Sequence, residues 1–89
     1  MPVREVTIVN RRGLHARSAA KFVKLASRYD AEVVVVKDGM RVSGLSIMGL
    51  LMLAASPGSQ LRIEAEGSAA GEALDALATL VDRGFDEGD

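Results

Sequence analysis

The sequence predicts an α+β fold, an open-faced β-sandwich in which three helices cover one face of a four-stranded antiparallel sheet, in the order β-α-β-β-α-β-α. Three observations predict it. Apolar and polar residues alternate in two segments, Val6 and Ile8 against Glu5 and Thr7, and Leu61, Ile63 and Ala65 against Arg62, Glu64 and Glu66. That is the period of a strand with one wet face. The period lengthens to that of a helix in Ala19, Phe22, Val23 and Ala26, and again in Ala70, Ala73, Leu74, Leu77 and Val81. Between them lies the β-branched run Val33-Val34-Val35-Val36, followed by Asp38-Gly39. Asp-Gly between apolar runs is a strong signal for a two-residue hairpin. Antiparallel neighbours on short connections satisfy this order.

Taken in order, the strand around Val6 and Ile8 ends at the turn residues Asn10-Arg11-Arg12-Gly13. A helix starts at about Ala16. Its basic face carries Arg17, Lys21, Lys24 and Arg28, and Tyr29-Asp30 closes it. Ala31 to Lys37 is a strand, and Met40 to Ser43 its return partner. Ser46 to Leu51 reads as a short helix with Ser46 at its N-cap. Ser56-Pro57-Gly58-Ser59 turns the chain into the strand of Leu61, Ile63 and Ala65, and the last helix follows. Gly84 to Asp89 is expected to be a frayed acidic tail. No repeat or linker interrupts residues 1–89, so a single domain is expected.

Composition narrows the function. The 89 residues are 48% apolar, with Phe22, Tyr29 and Phe85 the only aromatics, so the core is aliphatic. Eleven basic against twelve acidic residues leave a net charge of −1, which argues against a nucleic-acid binder. The chain has no cysteine and one histidine, which excludes disulfides, thiolate metal sites and multi-histidine metal sites. No cofactor is expected. Met1 to Val9 alternates charged and apolar residues, unlike a signal peptide, and Leu45 to Ala55 is too short to cross a bilayer. A cytoplasmic protein without membrane insertion is the expectation.

The residue that invites chemistry is His15, between a glycine turn and a helix start. The first turn of a helix has unpaired N–H groups and a partial positive charge. Both disfavour protonation of a nearby imidazole, and a neutral imidazole has a lone pair free for attack. The N–H groups of Ala16, Arg17 and Ser18 would then hold the oxygens of a phosphoryl group. Arg17 sharpens the reading, because a cation in a first helical turn opposes the helix dipole by roughly 0.3–1 kcal/mol. It makes sense if an anion visits, since guanidinium pairs with phosphoryl oxygens through two hydrogen bonds. Gly13 permits the close backbone approach that such a loop needs. From spacing alone, however, a single histidine near a helix start is more often a surface residue or a cap.

Gly13-Leu14-His15-Ala16-Arg17, followed by Ala19-Ala20 and Phe22-Val23, resembles the active-site signature of the HPr family, the histidine phosphocarriers of the bacterial phosphotransferase system. Ser46-Ile47-Met48-Gly49-Leu50 resembles that family's regulatory serine motif. Tyr29-Asp30-Ala31, Asp38-Gly39 and Glu66-Gly67 fall where members of the family place similar residues, and the likeness spans nearly the whole chain. The resemblance implies that His15 accepts a phosphoryl group from enzyme I and passes it to a histidine of an enzyme IIA protein, with Arg17 stabilising the group. It implies a stoichiometric carrier rather than an enzyme. It also gives Ser46 a second role beside its cap, as the target of an HPr kinase/phosphorylase. Leu14, Ile47, Met48 and Leu51 are candidates for an apolar docking patch, ringed by Arg17 and Lys24. Leu51 and Met48 read equally well as core. A carrier with several partners is expected to be a monomer.

The pattern departs from the family in two places. Ser18 stands where proline is usual, and Leu45 where lysine is common before the serine. Ser18 adds a hydroxyl that either helps bind phosphate or caps the helix. Both departures leave room for the rival reading, an HPr-like carrier in a nitrogen-related regulatory phosphorelay that transports no sugar. A pure interaction module is a further alternative, but it gives Gly13, His15 and Arg17 no shared reason.

Overall fold

The computed structural model describes residues 2–87, and the elements follow the expected order. β1 (Val3–Thr7), β2 (Glu32–Lys37), β3 (Met40–Ser43) and β4 (Gln60–Glu66) form one sheet in the order β1-β4-β2-β3, antiparallel throughout. The two-residue period sorts the strands: Val6, Val33, Val35, Leu61, Ile63 and Ala65 are buried on one face. Pairing aligns them, with Val6 opposite Leu61 and Val35 opposite Ile63. A one-residue slip would put all of them in water, so the apolar pattern fixes the register. Asp38 (φ 50°) and Gly39 (φ 83°) close the β2–β3 hairpin. Both lie in the left-handed region that a type I′ turn requires.

α1 (Ala16–Ala26), α2 (Ile47–Met52) and α3 (Ala70–Asp82) complete the fold. α3 packs on β1 and β4, α1 packs beside it, and α2 rests on α1 and β3. Phe22 from α1, Leu50 from α2, and Leu77 and Val81 from α3 are buried together over the sheet. Each is worth about 1.5–3 kcal/mol of apolar burial, which outweighs the weak intrinsic stability of helices this short.

The open face of the sheet carries charge. Glu64, on the strand next to β1 and β2, is buried beneath two guanidinium groups: Arg41 donates to it at 2.9 and 3.3 Å and Arg62 approaches to 3.1 Å. The Arg41 hydrogen bond holds its carboxyl below the ordinary range, and the charges of Arg41 and Arg62 add to that; burial opposes them.

The expectation of a frayed tail fails for residues 84–87. Gly84–Asp86 form a 3₁₀ turn, and the Phe85 side chain is fully buried in the core. An aromatic ring removes so much apolar surface from water that the terminal turn is held down although its neighbours are acidic. Residues 88 and 89, part of the same expectation, lie outside the described residues.

Candidate functional site

The loop before α1 is shaped by Gly13. Its φ of +66° is left-handed, and a Cβ there would lie 2.5 Å from the Ala55 carbonyl oxygen. Only glycine allows this approach. The neighbouring Leu14 N–H donates to that same carbonyl at 2.9 Å, pinning the loop to the turn after α2. Below the loop, the buried Asn10 uses its amide nitrogen twice, donating to the Gly13 carbonyl at 2.8 Å and to Glu87 Oε1 at 2.9 Å.

His15 is the N-cap of α1, with extended backbone. Its Nδ1 accepts from the Arg17 N–H at 3.3 Å, so one ring nitrogen faces the unpaired donors of the first helical turn. Ser18 completes the cap from the other side. Its hydroxyl oxygen accepts from the His15 N–H at 2.9 Å and lies 3.1 Å from the carbonyls of both Gly13 and His15. Of the two roles left open for that hydroxyl, the geometry gives it the cap, since Ser18 is fully buried and its oxygen is occupied.

The second ring nitrogen has a partner that the sequence did not reveal. Nε2 lies 2.5 Å from Glu87 Oε2, and both side chains are largely covered, at 18% and 9% exposure. Since Nδ1 accepts, the ring proton belongs on Nε2, which donates to the carboxylate. Burial pushes the Glu87 carboxyl up, but hydrogen bonds from Asn10 and His15, with the nearby Arg12 charge, outweigh it and leave the group below its ordinary value. Beside this pair opens a cleft of about 320 Å³ lined by Arg12, Arg17, Lys21, Asp86 and Glu87. Three cations facing two carboxylates leave it room for an added anion. A ring with one nitrogen free to attack, beside anion-binding amides and guanidinium groups, is suited to nucleophilic group transfer.

The structure brings together most of the residues read from the sequence. His15, the Arg17 N–H and Ser18 form the cap, and the Arg17 side chain lines the cleft. Ser46 caps α2, its hydroxyl accepting from the Gly49 N–H at 2.9 Å. Ile47 and Met48 are exposed, as is Lys24, while Leu51 is half-buried against the core. Leu14 is a correction: it is 7% exposed and part of the core, so it offers no docking surface. The hydrogen bond of its N–H to Ala55 fixes the backbone there, and the side chain packs among the core residues. Met52, 65% exposed, joins the apolar surface of α2 instead. Asn10 and Glu87 went unrecognised. The one available signal was Phe85, an aromatic in a segment read as solvated. Among the described residues no cluster of acidic and histidine side chains could hold a metal ion, and no helix is long and apolar enough to cross a membrane.

Residues 3–83 match the family model described as the PTS HPr component phosphorylation site. The chain is 49% identical to the phosphocarrier protein HPr of Pseudomonas aeruginosa over the full length of both. It is 46% identical to the phosphocarrier protein NPr of Shewanella violacea, over 94% of this chain and 92% of that one. The crystal structure of HPr-C-His from Thermoanaerobacter tengcongensis superposes with a TM-score of 0.95 at 39% identity, covering both chains completely.

Proposed function

The chain belongs to the HPr family of phosphocarriers of the phosphotransferase system, and from that premise we propose that His15 is its carrier residue, charged by phospho-enzyme I and discharged to an enzyme IIA protein. The observation that carries the reading is the placement of His15 as the N-cap of α1, with Nδ1 turned toward the helix N–H groups. The Nδ1 lone pair attacks the donor's phosphorus, and the amides of Ala16, Arg17 and Ser18 receive the phosphoryl oxygens. The long 3.3 Å contact from the Arg17 N–H is readily surrendered to such an oxygen. The Arg17 guanidinium adds charge from the cleft. A phosphorus–nitrogen bond keeps the group reactive for the next acceptor, which suits a stoichiometric carrier; a cytoplasmic monomer is part of the same proposal.

Partners dock on α2 and the adjoining face of α1. Ile47 and Met48 are exposed, Leu51 is half-buried and Lys24 is exposed, so an apolar patch with a cationic rim is open to a partner under this reading. A flexible methionine adapts to several partners. Ser46 sits beside that patch, so phosphorylation by an HPr kinase/phosphorylase would place a dianion in the docking surface. The helix N-terminus would tolerate it.

The test is incubation with phosphoenolpyruvate and enzyme I, followed by intact mass. The parent gains one acid-labile phosphoryl group and His15→Ala gains none. No gain on the parent, with an enzyme I shown to charge a known HPr, would refute the reading. Offering the charged protein to sugar-specific and nitrogen-related IIA proteins then identifies the circuit: discharge to a sugar-specific IIA assigns it to transport, and discharge to a nitrogen-related IIA assigns it to the regulatory relay.

A further inference from the structure

We propose that Glu87 is a positioning residue for His15: it holds the ring proton on Nε2, leaving Nδ1 to take the phosphoryl group, and balances the positive charge the ring then carries. The proposal deepens the reading of His15 as carrier and rests on it.

Three observations point the same way. The Oε2–Nε2 contact is 2.5 Å, and the other carboxylate oxygen is occupied by Asn10. Asn10 aims its amide nitrogen at both Gly13 and Glu87, and its own Oδ1 has no hydrogen-bond partner among the described residues. An unpaired buried oxygen is normally avoided, so the orientation serves the carboxylate and the loop. The terminal turn is bent into place. Gly84, Phe85 and Asp86 have φ of 65°, 58° and 59°, three successive left-handed residues of which two carry side chains. Such strain persists where surrounding structure imposes it and gathers at functional sites. Here the buried Phe85 ring imposes it, and Lys21 fastens the turn by donating to the Phe85 carbonyl at 2.7 Å.

The chemistry requires a partner of this kind. When the Nδ1 lone pair forms the new P–N bond, the donor's own bond to phosphorus breaks and its electron pair returns to the donor atom. The Nε2 proton stays on the ring, which becomes a phosphoimidazolium. An anion at Nε2 stabilises that cation and fixes the tautomer, as a carboxylate behind an imidazole does in hydrolytic triads. The other charged groups facing the pair are Arg12 from the loop, Arg17 and Lys21 from α1, and Asp86 from the terminal turn. α2 and the turn after it contribute none, because residues 44–60 contain no titratable side chain.

The experiment compares the parent with Glu87→Gln and Glu87→Ala. Glutamine keeps an acceptor and loses the charge, and alanine loses both. At about pH 8.5, where an ordinary imidazole is neutral, the parent gives a low-field, slowly exchanging Nε2 proton resonance by NMR. Glu87→Gln keeps it at higher field and Glu87→Ala loses it. Phosphoryl transfer from phospho-enzyme I slows in the same order, by roughly tenfold or more for alanine, by analogy with the loss of a carboxylate partner from a metal-ligating histidine. Phe85→Ala, which releases the turn without touching the carboxylate, reproduces the alanine result. A parent transfer rate in Glu87→Ala overturns the proposal, as does an unchanged Nε2 resonance. A parent that takes no phosphoryl group at all refutes the carrier reading, and this assignment falls with it. The two failures are therefore distinguishable.

Discussion

At the scale of single residues, the shape of the site rests on two small residues, Gly13 and Ser18. Gly13 is the most constrained, because a left-handed φ and a 2.5 Å approach to Ala55 coincide there. Gly13→Ala should destabilise the protein by about 2–3 kcal/mol in denaturant titration, from left-handed strain plus displaced backbone. Ser18→Ala removes a buried hydroxyl that serves the His15 N–H, and should cost about 1–2 kcal/mol. Ser18→Pro, the residue the family favours there, removes the same bond and should be no more stable than Ser18→Ala despite its preset backbone. A gain in stability on introducing proline would show that the hydroxyl does nothing for the cap. His15 and Arg17 were legible in the sequence because a lone histidine after a glycine turn, with a cation in the dipole-opposing position, needs explaining. Asn10 and Glu87 were not legible: the contact of Glu87 with His15 joins residues 72 apart, and a carboxylate in an acidic tail has no local reason to point inward.

At the scale of elements, periodicity decided nearly everything, since each strand or helix must present its apolar residues to one core. The hairpin at Asp38-Gly39 and the Ser46 cap were equally plain, because turn and cap chemistry is local. Ser46→Ala should lower stability by about 1 kcal/mol, while Ser46→Asp, which keeps an acceptor at the cap, should stay near the parent. The loss is read as a shift in denaturation midpoint. The terminal turn is the element that local reasoning got wrong. Its acidic composition resembles a tail, and only the three-dimensional core shows that a hole the size of Phe85 would otherwise stand open. Phe85→Ala should cost about 3–5 kcal/mol, far more than truncation of a frayed segment could. An effect below 1 kcal/mol would return these residues to the tail.

At the scale of the whole molecule, the start of α1 and the turn after α3 meet at one ring, and acid should part them. Glu87 has a folded pKa below its unfolded value of 4.5. Its contribution is therefore fully present above 4.5 and lost as pH falls through the lowered value. The terminal turn should stay attached down to that range and then release, which the Phe85 ring resonances would report; release near pH 6 would contradict the assignment. Glu64, depressed by Arg41 and Arg62 on the open face, follows the same sign and weakens the sheet in the same window. The overall topology was readable because short connections leave few alternatives, whereas the closing of the C-terminus onto the helix start depends on packing between elements distant in sequence. That closure gives the two nitrogens of His15 different tasks, and it can be checked directly. The protein, labelled with ¹⁵N at histidine and charged through enzyme I, should show phosphorus–nitrogen coupling at Nδ1 of His15 and none at Nε2. Coupling at Nε2, or phosphorus on a hydroxyl instead of the ring, would contradict the account.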